Sequence, residues 1–250
     1  MTSTVADIGY GTQFATWYDR IFPKGGDAQA TADVLAGLHP DPGAGTLEFG
    51  VGTGRIALPL SQKTGQVMGV DSSPEMLAQL AEAGSENVVP VHADIRTYTD
   101  TRQYGLVYVV CGTLSMLLSA EDQQEAVCRA AELLTPGGRL VVETGNLPAV
   151  QALHDGQARC TLFTPYPEPG TGLQTHSTLS SEIWQCSHIW YESDGSTRVG
   201  SELARLTTPD EVDRYAAVAG LAPEGRYADW SLSSYTEQYP MFLTTYTKNA

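Results

Sequence analysis

The chain has 250 residues, which is enough for one large domain with a well-formed hydrophobic core. Its 29 Asp and Glu residues outnumber 14 Lys and Arg residues, and the resulting formal charge of −15 would repel a nucleic-acid backbone or an anionic membrane surface. Because no segment approaches the roughly 18 apolar residues of a membrane span and the first residues lack a secretory pattern, we expect a cytoplasmic protein with no nucleic-acid or membrane partner.

Residues 26–150 alternate short β-rich runs with helical periods, which is typical of a parallel sheet covered by helices on both faces. Ser119 lies three residues before Asp122 as an approximate capping box, and TPGG at 135–138 is expected to end that helix. The pattern predicts a doubly wound α/β domain. The predicted helices cover 27–38, 54–63, 73–83 and 119–134, and the predicted strands cover 46–49, 67–71, 87–94, 104–110 and 138–144.

Beyond residue 150 the pattern changes to antiparallel β structure. The segment SEIWQCSHIWYES at 181–193 alternates polar and apolar residues, DGS at 194–196 is a hairpin signal, and TRVGSELARLTT at 197–208 returns as a second strand. An antiparallel section is therefore expected to be appended to the parallel sheet.

The C-terminal part begins with a clear helix start. Thr208 is a cap, Pro209 suits the first helical position and Glu211 reaches back, so we predict a helix over 209–220, followed by closing strands around 225–230 and 240–248. The predicted divisions are an N-terminal segment at 1–25, a ligand-binding α/β core at 26–150, the appended section at 151–206 and a C-terminal part at 207–250.

A glycine-rich loop follows the first predicted strand. In TLEFGVGTG the glycines Gly50, Gly52 and Gly54 leave room for backbone N–H groups to approach a ligand. The GxGxG spacing differs from the GxGxxG of dinucleotide sites, no Lys-Ser/Thr follows as in a P-loop, and Glu48 would oppose a pyrophosphate. A carboxylate there suits a ligand with an amino group, and the alternative is a tight turn that binds nothing.

Two further strand ends carry carboxylates. Asp71 lies about 20 residues after the loop, where a carboxylate can accept both hydroxyls of a ribose. Asp94, with the backbone N–H of Ile95, could bind the edge of an adenine. Each acid alone could be a cap or a solvated turn, but three at successive strand ends indicate a nucleoside with an amine-bearing tail.

The segments LEFGVGTGRIALPL, GVDSSPEML, VHADI, YGLVYVVCGTLSMLLSAEDQ and LLTPGGRLVVE together resemble the class I S-adenosylmethionine-dependent methyltransferases, in particular small-molecule enzymes of actinobacterial type. The resemblance is close over about residues 10–150 and holds only in outline beyond them. It implies a Rossmann-like, mostly parallel seven-stranded sheet, S-adenosyl-L-methionine as cofactor and methyl transfer to a small molecule.

The resemblance also implies roles for individual residues. The glycine loop would hold the methionine moiety, Asp71 the ribose, and Met76 would touch the adenine. Residues 111–114 would run past the sulfonium, although family members often carry Asn where this chain has Gly112. The N-terminal ATWYDRIFP resembles a lid in which Tyr18 closes over the cofactor. The predicted cofactor contacts are Tyr18, Glu48, Gly50, Val51, Gly52, Gly54, Asp71, Ser72, Met76, Asp94, Ile95, Cys111 and Gly112.

The acceptor pocket is expected in the aromatic-rich appended section. Alternation along 181–193 puts Trp184, Cys186, His188 and Trp190 on one face, which is either a pocket wall or a core face. A hydroxyl or carbon acceptor would benefit from a general base, whereas a neutral amine needs none. The predicted catalytic residues are Tyr18, His154 and His188, with His176 as a further candidate base, and the predicted acceptor contacts are Tyr10, Trp184, His188 and Trp190.

The four cysteines show neither a CxxC pair nor a zinc-ligand spacing with the histidines, so no metal site is predicted. The methylated atom is left open between nitrogen, oxygen and an electron-rich carbon, and the assembly between a monomer and a homodimer. Two other functions are also open: a cyclisation or rearrangement that uses the cofactor as scaffold, and non-catalytic cofactor binding.

Overall fold

The structure is a computed structural model, and it describes residues 9–249. The first eight residues of the predicted N-terminal segment lie outside the described part. The helices and strands are α1 (Tyr10–Phe14), α2 (Tyr18–Ile21), α3 (Gly26–Leu38), β1 (Thr46–Phe49), α4 (Ala57–Thr64), β2 (Val67–Asp71), α5 (Pro74–Ala83), β3 (Val88–His92), β4 (Tyr104–Val109), α6 (Ala120–Leu133), β5 (Leu134–Gly145), α7 (Leu147–His154), β6 (Arg159–Pro165), β7 (Gly172–Ser180), β8 (Ile183–Tyr191), β9 (Thr197–Arg205), α8 (Pro209–Val218), β10 (Leu221–Tyr227) and β11 (Met241–Lys248).

Seven strands form the central sheet in the order β10-β11-β5-β4-β1-β2-β3. All neighbours pair in parallel except at β11, which runs antiparallel to both β10 and β5. The chain moves outward from β1 to β3 and then returns to β4 beside β1, so the strand order reverses between β1 and β4. This confirms the predicted fold class, and a crevice at the carboxyl ends of these two strands is where such folds bind ligands.

The central strands are buried on both faces because helices cover the sheet above and below. Every residue of β1 and β4 is buried. Successive residues of β4 enter opposite cores, with Val107 and Val109 in one and Leu106 and Tyr108 in the other. Two-sided burial holds the carboxyl ends of these strands in place, which gives the site a rigid base.

Side-chain caps fix where the helices begin. Ser119 accepts a hydrogen bond from the backbone N–H of Asp122 at 3.0 Å, and Thr208 accepts one from Glu211 at 3.3 Å. Both predicted helix starts are therefore confirmed. The strand predicted at 138–144 begins earlier, at Leu134, which pairs with Tyr104 of β4. TPGG at 135–138 forms an irregularity within this strand, and regular pairing with β4 resumes at Arg139.

The predicted antiparallel section forms a sheet of its own, with the order β6-β7-β8-β9. The predicted hairpin is confirmed: β8 pairs with β9, and Gly195 in its turn has φ of 83°. The sequence analysis missed β6, β7 and α7. All residues of β6 except Cys160 are exposed, so this edge strand has no alternation of apolar residues that could have revealed it. Within residues 9–249, no helix has the length and apolarity needed to cross a bilayer.

Because Phe242 on β11 is fully buried, with 0% exposure, Phe242→Ala should lower the free energy of unfolding by about 3–5 kcal/mol, measured by urea denaturation. Phe163 on β6 is 59% exposed, so the control Phe163→Ala should change it by no more than about 0.5 kcal/mol. Equal losses in the two variants would contradict this placement of the core.

Candidate active site

A cavity of about 730 Å³ opens at the crevice between β1 and β4. Its floor is the glycine loop after β1 and the ends of β2, β4 and β5, and its walls come from the N-terminal helices and from β8 and β9. The volume lies within the range of about 300–1,000 Å³ that is usual for small-molecule sites. Six carboxylates and two guanidinium groups line it: Glu48, Asp71, Asp94, Asp122, Glu143 and Glu202, with Arg55 and Arg96.

The three glycines of the loop serve different purposes. A Cβ on Gly50 would meet the Thr113 side chain at 2.3 Å, and a Cβ on Gly54 would meet Leu80 at 2.4 Å, so packing excludes larger residues at both. Gly52 has φ of 54°, and a Cβ there would meet nothing within 4 Å. Gly52 thus borders open space in the cavity, whereas Gly54 is turned away from it.

The carboxylate of Asp71 fixes the glycine loop. The backbone N–H of Gly52 donates to its Oδ2 at 2.7 Å, and that of Ser73 donates to its Oδ1 at 2.8 Å. Asp71 and Ser72 both line the cavity, as does Met76 in the next helix. The loop after β1 and the end of β2 are therefore joined at the predicted ribose position.

Glu48 is a buried carboxyl group directly beneath the loop. The Tyr108 hydroxyl donates to its Oε2 at 2.8 Å. Burial raises the pKa of Glu48 to about 8, although this hydrogen bond and the nearby Arg55 guanidinium act in the opposite direction. A cation bound in the cavity would favour its ionised form.

Asp94 lines the cavity but is already engaged with protein. Arg96 donates to both of its oxygens, and the Arg96 guanidinium also reaches Asp122 at 2.7 Å. Burial alone would raise the pKa of the Asp94 carboxyl, but the hydrogen bonds from Arg96 outweigh burial and lower this pKa. Asp94 therefore stays ionised as part of a charge network beside Ile95, which also lines the cavity.

Arg55, which the sequence analysis missed, is the cation of the cavity floor. Its Nη2 lies 3.6 Å from Cys111 Sγ, and among the described residues its Nε is buried without a hydrogen-bond partner. An unpaired buried donor costs stability unless a ligand supplies an acceptor, and a carboxylate is the acceptor that a guanidinium binds best. The signal in the sequence was a lone basic residue directly after GxGxG.

Glu143, also missed, holds the segment that leaves β4. The backbone N–H of Cys111 donates to its Oε2 at 2.8 Å, and Trp230 Nε1 donates to its Oε1 at 2.6 Å. Burial raises the pKa of Cys111 to about 12, so its thiol is not ionised at neutral pH. Cys111 and Gly112, both with positive φ, line the cavity beside this carboxylate.

The predicted lid supplies one wall. Tyr10 and Tyr18 line the cavity, with their rings 6.3 Å apart, and Phe14 stacks on Tyr10. Burial raises the pKa of Tyr18, so its hydroxyl stays protonated. The lid role itself stays a prediction.

A second wall comes from β8 and β9, where Trp184 and His188 line the cavity with Glu202. Both ring nitrogens of His188 have protein partners, Thr175 Oγ1 at Nδ1 (2.9 Å) and Glu202 Oε1 at Nε2 (3.2 Å). The possible ligand atoms of Cys186, His188 and Glu202 all lie within 4.8 Å of one another, a grouping that could hold a metal ion. Sequence spacing could not reveal it, because Glu202 comes from a different strand.

Four predicted site residues do not line the cavity: Gly54, His154, His176 and Trp190. His154 is 3% exposed, and its ring nitrogens bond Ser177 Oγ and the Gln157 carbonyl, so it serves packing instead of proton transfer. Trp190 is buried with Phe14 and Trp17 beneath the N-terminal helices. The expectation that His154 and Trp190 reach the acceptor is therefore wrong. His154 is buried against β7, and Trp190 is covered by the N-terminal helices.

Comparisons with known proteins show which family the chain belongs to. The family described as "Methyltransferase domain" matches residues 46–138. The CcbJ methyltransferase from Streptomyces caelestis is 32% identical, with a TM-score of 0.82 over 96% of this chain and 98% of that chain. The sugar N-methyltransferase KedS8 from Streptoalloteichus sp ATCC 53650 is 17% identical, with a TM-score of 0.72 over 100% of this chain and 98% of its own, which shows the fold alone.

A Streptomyces fradiae protein, dTDP-3-amino-3,6-dideoxy-alpha-D-glucopyranose N,N-dimethyltransferase, is 30% identical over 143 residues, 56% of each chain. The chain spans between 47% and 66% of the length of the curated relatives that it matches. A Rossmann-like sheet with a glycine loop and strand-end acids is typical of a nucleoside-binding domain. The chain belongs to the S-adenosylmethionine-dependent methyltransferases, and S-adenosylmethionine is its cofactor.

Since a side chain on Gly52 would enter the open space of the cavity, Gly52→Val should weaken S-adenosylmethionine binding by roughly 100-fold or more, measured by calorimetry. The matched control is Gly65→Val. Gly65 has φ of 80° and also nothing within 4 Å of a Cβ, but it follows α4 outside the cavity lining. The control should lose stability through backbone strain and keep its affinity. Equal loss of affinity in both variants would contradict the assignment.

The raised pKa of Glu48 predicts a pH-dependent stability of the cofactor-free protein. The stability contributed by Glu48 is fully present below its ordinary pKa of 4.5 and is lost as the pH rises toward and through about 8. In urea unfolding between about pH 5.5 and 7.5, wild type should lose up to about 1.4 kcal/mol per pH unit relative to Glu48→Gln. Gln keeps an oxygen for Tyr108, so parallel curves for the two proteins would show that Glu48 is already ionised.

Proposed function

We propose that this methyltransferase transfers the methyl group to a nitrogen atom of a small-molecule amine. When bound, S-adenosylmethionine supplies an electrophilic methyl group on a sulfonium. The carboxylate of Glu202 in the acceptor wall carries the proposal: among residues 9–249, no Lys or Arg nitrogen lies within 4.0 Å of it. An acceptor with an amino group would complement this wall.

The neighbouring proteins support a nitrogen acceptor. The printed names of the Streptomyces fradiae relative and of KedS8 both specify N-methylation, the first on an amino sugar nucleotide and the second on a sugar. Only the choice of nitrogen as the methylated atom is extended to this chain, because β8 and β9, which form the acceptor wall, lie outside the matched family region 46–138.

The site is suited to an acceptor that needs positioning more than strong base catalysis. His188 has both ring nitrogens bonded within the protein. The Cys111 thiol and the Tyr18 hydroxyl are held in their neutral forms by burial, so neither is a strong base at neutral pH. A neutral amine, which already has a reactive lone pair, can be methylated by alignment and exclusion of water.

The aromatic side chains of the cavity suit an acceptor that contains a ring or a cation. Trp184 and Tyr10 both border the cavity, and both can pack against a ring or a cation. The formal charge of −15 also supports a small cationic acceptor in preference to a nucleic acid. The cytoplasmic location and the homodimer stay predictions.

The test is a screen of small-molecule amines and their matched alcohols with S-adenosylmethionine, followed by mass spectrometry to locate the added methyl group. We expect S-adenosylhomocysteine to form with amines and fragments to carry the methyl group on nitrogen. Trp184→Ala should raise KM for the amine by roughly tenfold or more and leave cofactor affinity within about twofold.

Methylation on oxygen or carbon would overturn the nitrogen assignment. Turnover of an acceptor without formation of S-adenosylhomocysteine would instead favour the use of the cofactor as a scaffold, and cofactor binding without turnover of any acceptor would favour a non-catalytic protein. Asp71→Ala, which removes the carboxylate beside the glycine loop, serves as the control for cofactor-dependent background and should show no product.

A further inference from the structure

We infer that Glu202 is the residue that binds the amino group of the acceptor, and that His188 positions it. This assigns an ammonium-binding subsite on β9 that the sequence pattern did not indicate, and it rests on the proposed function. The substrate class it implies is an aliphatic amine that is protonated in solution, attached to an apolar or aromatic body.

Glu202 lines the cavity from β9. It is the direct cross-strand partner of Cys186, so its side chain shares the inner face of the sheet with Trp184 and His188. This face packs against α1 and the turn at Thr113–Met116, which continues from the segment leaving β4. The side chain is 24% exposed and borders the cavity, so a ligand can reach it.

His188 holds one oxygen of this carboxylate. Its Nδ1 lies 2.9 Å from Thr175 Oγ1, and the edge of the ring meets Phe14, whose centroid is 5.9 Å away. With the ring fixed from two sides, Nε2–H can donate to Glu202 Oε1 at 3.2 Å. Among the described residues, no hydrogen bond to Oε2 is found, so this oxygen is left for a ligand, and the bond to Oε1 orients the carboxylate before any acceptor arrives.

The surroundings favour an ammonium group over a hydroxyl. Both guanidinium groups in the cavity lining belong to the cofactor end, where Arg96 pairs with Asp94 and Arg55 lies beside Cys111. The charge of Glu202 therefore stays available at the acceptor end. Burial, aided by the negative charge of Glu202, raises the pKa of Tyr10, which places a neutral phenol beside the carboxylate.

The proton balance of this subsite is simple. An alkylammonium bound to Glu202 transfers one proton to a carboxylate oxygen, so an N–H bond breaks, an O–H bond forms and the nitrogen keeps the electron pair. The amine then carries the lone pair that methylation requires. No oxidant or reductant takes part.

The test measures binding to the protein saturated with S-adenosylhomocysteine, so it does not depend on turnover. The probes are phenethylamine and its matched alcohol 2-phenylethanol, followed by ligand-observed NMR and calorimetry. Wild type should bind the amine about tenfold or more tightly than the alcohol. E202Q should lose that preference and keep its affinity for the alcohol and for S-adenosylhomocysteine.

The matched control is E125Q, because Glu125 is exposed on α6 outside the cavity lining, and it should behave as wild type. If E202Q does not fold, H188Q provides the second variant: it keeps the carboxylate but removes the ring that holds it, and it should weaken amine binding severalfold without changing alcohol binding.

The inference is overturned if wild type shows no preference for the amine, or if E202Q binds the amine as wild type does. It is also overturned if EDTA abolishes amine binding, since Glu202 would then serve a metal held with Cys186 and His188. The proposed function fails separately: oxygen methylation in the product screen would refute it while the preference for the amine in this binding assay persisted.

Discussion

The site depends on the hydrogen bond from the Gly52 backbone N–H to the Asp71 carboxylate. It ties the loop after β1 to the end of β2, and both residues line the cavity. The bond needs a glycine at Gly52, because φ is 54° there, and it needs the two strands to be in register, which their parallel pairing provides. Burial of β1 on both faces fixes the strand that carries the loop. The shape of the cofactor site thus follows from the packing of the sheet.

The floor of the cavity holds groups that are unfavourable without a ligand. Burial raises the pKa of both Glu48 and Glu143, and Arg55 has a buried Nε–H without a partner among the described residues. A ligand that carries an ammonium, a sulfonium and a carboxylate meets these needs together, since the cations favour ionised carboxylates and the carboxylate accepts from Arg55. The folded protein keeps this arrangement because the hydrogen bonds from Tyr108 and Trp230 limit the cost of burying the acids.

The fold could be predicted from the sequence because most of its signals are local. Hydrophobic runs, caps such as Ser119 and the glycine loop each act within a few residues. The missed strands β6 and β7 are edge or half-exposed strands whose order depends on pairing with β8, and pairing is not visible in a local pattern. Alternation along residues 181–193 correctly placed Trp184 and His188 on one face, but it could not show that the N-terminal helices cover Trp190.

The same difference, between local sequence signals and pairing between strands, explains which site residues could be predicted. Most of the predicted cofactor contacts lie at or just beyond the ends of consecutive parallel strands, so their spacing along the chain could predict that they line one cavity. Glu143 and Glu202 lie within strands, and their roles arise only when β5 meets β4 and β9 meets β8. Arg55 is adjacent to the motif, yet its role could not be predicted from the sequence, because it depends on the buried environment beside Cys111 and Tyr18.

The acceptor wall is built on a sheet that shares no strand with the cofactor core. Several contacts join the two parts. Among them, Gln123 on α6 and Arg205 at the end of β9 exchange hydrogen bonds, Asn146 pairs with Thr207, and Phe14 packs where Gly200 leaves room for it. These contacts fix the position of the second sheet without using the inner-face side chains Trp184 and Glu202. Neither side chain hydrogen-bonds the glycine loop or the ends of β1 and β2. Substitution of Trp184 or Glu202 is therefore expected to change which acceptor binds without changing the cofactor end of the cavity. If β8 and β9 bind the acceptor as proposed, cofactor binding and acceptor choice are separable by mutation, because the residues proposed for the two tasks lie on two sheets that meet at one cavity.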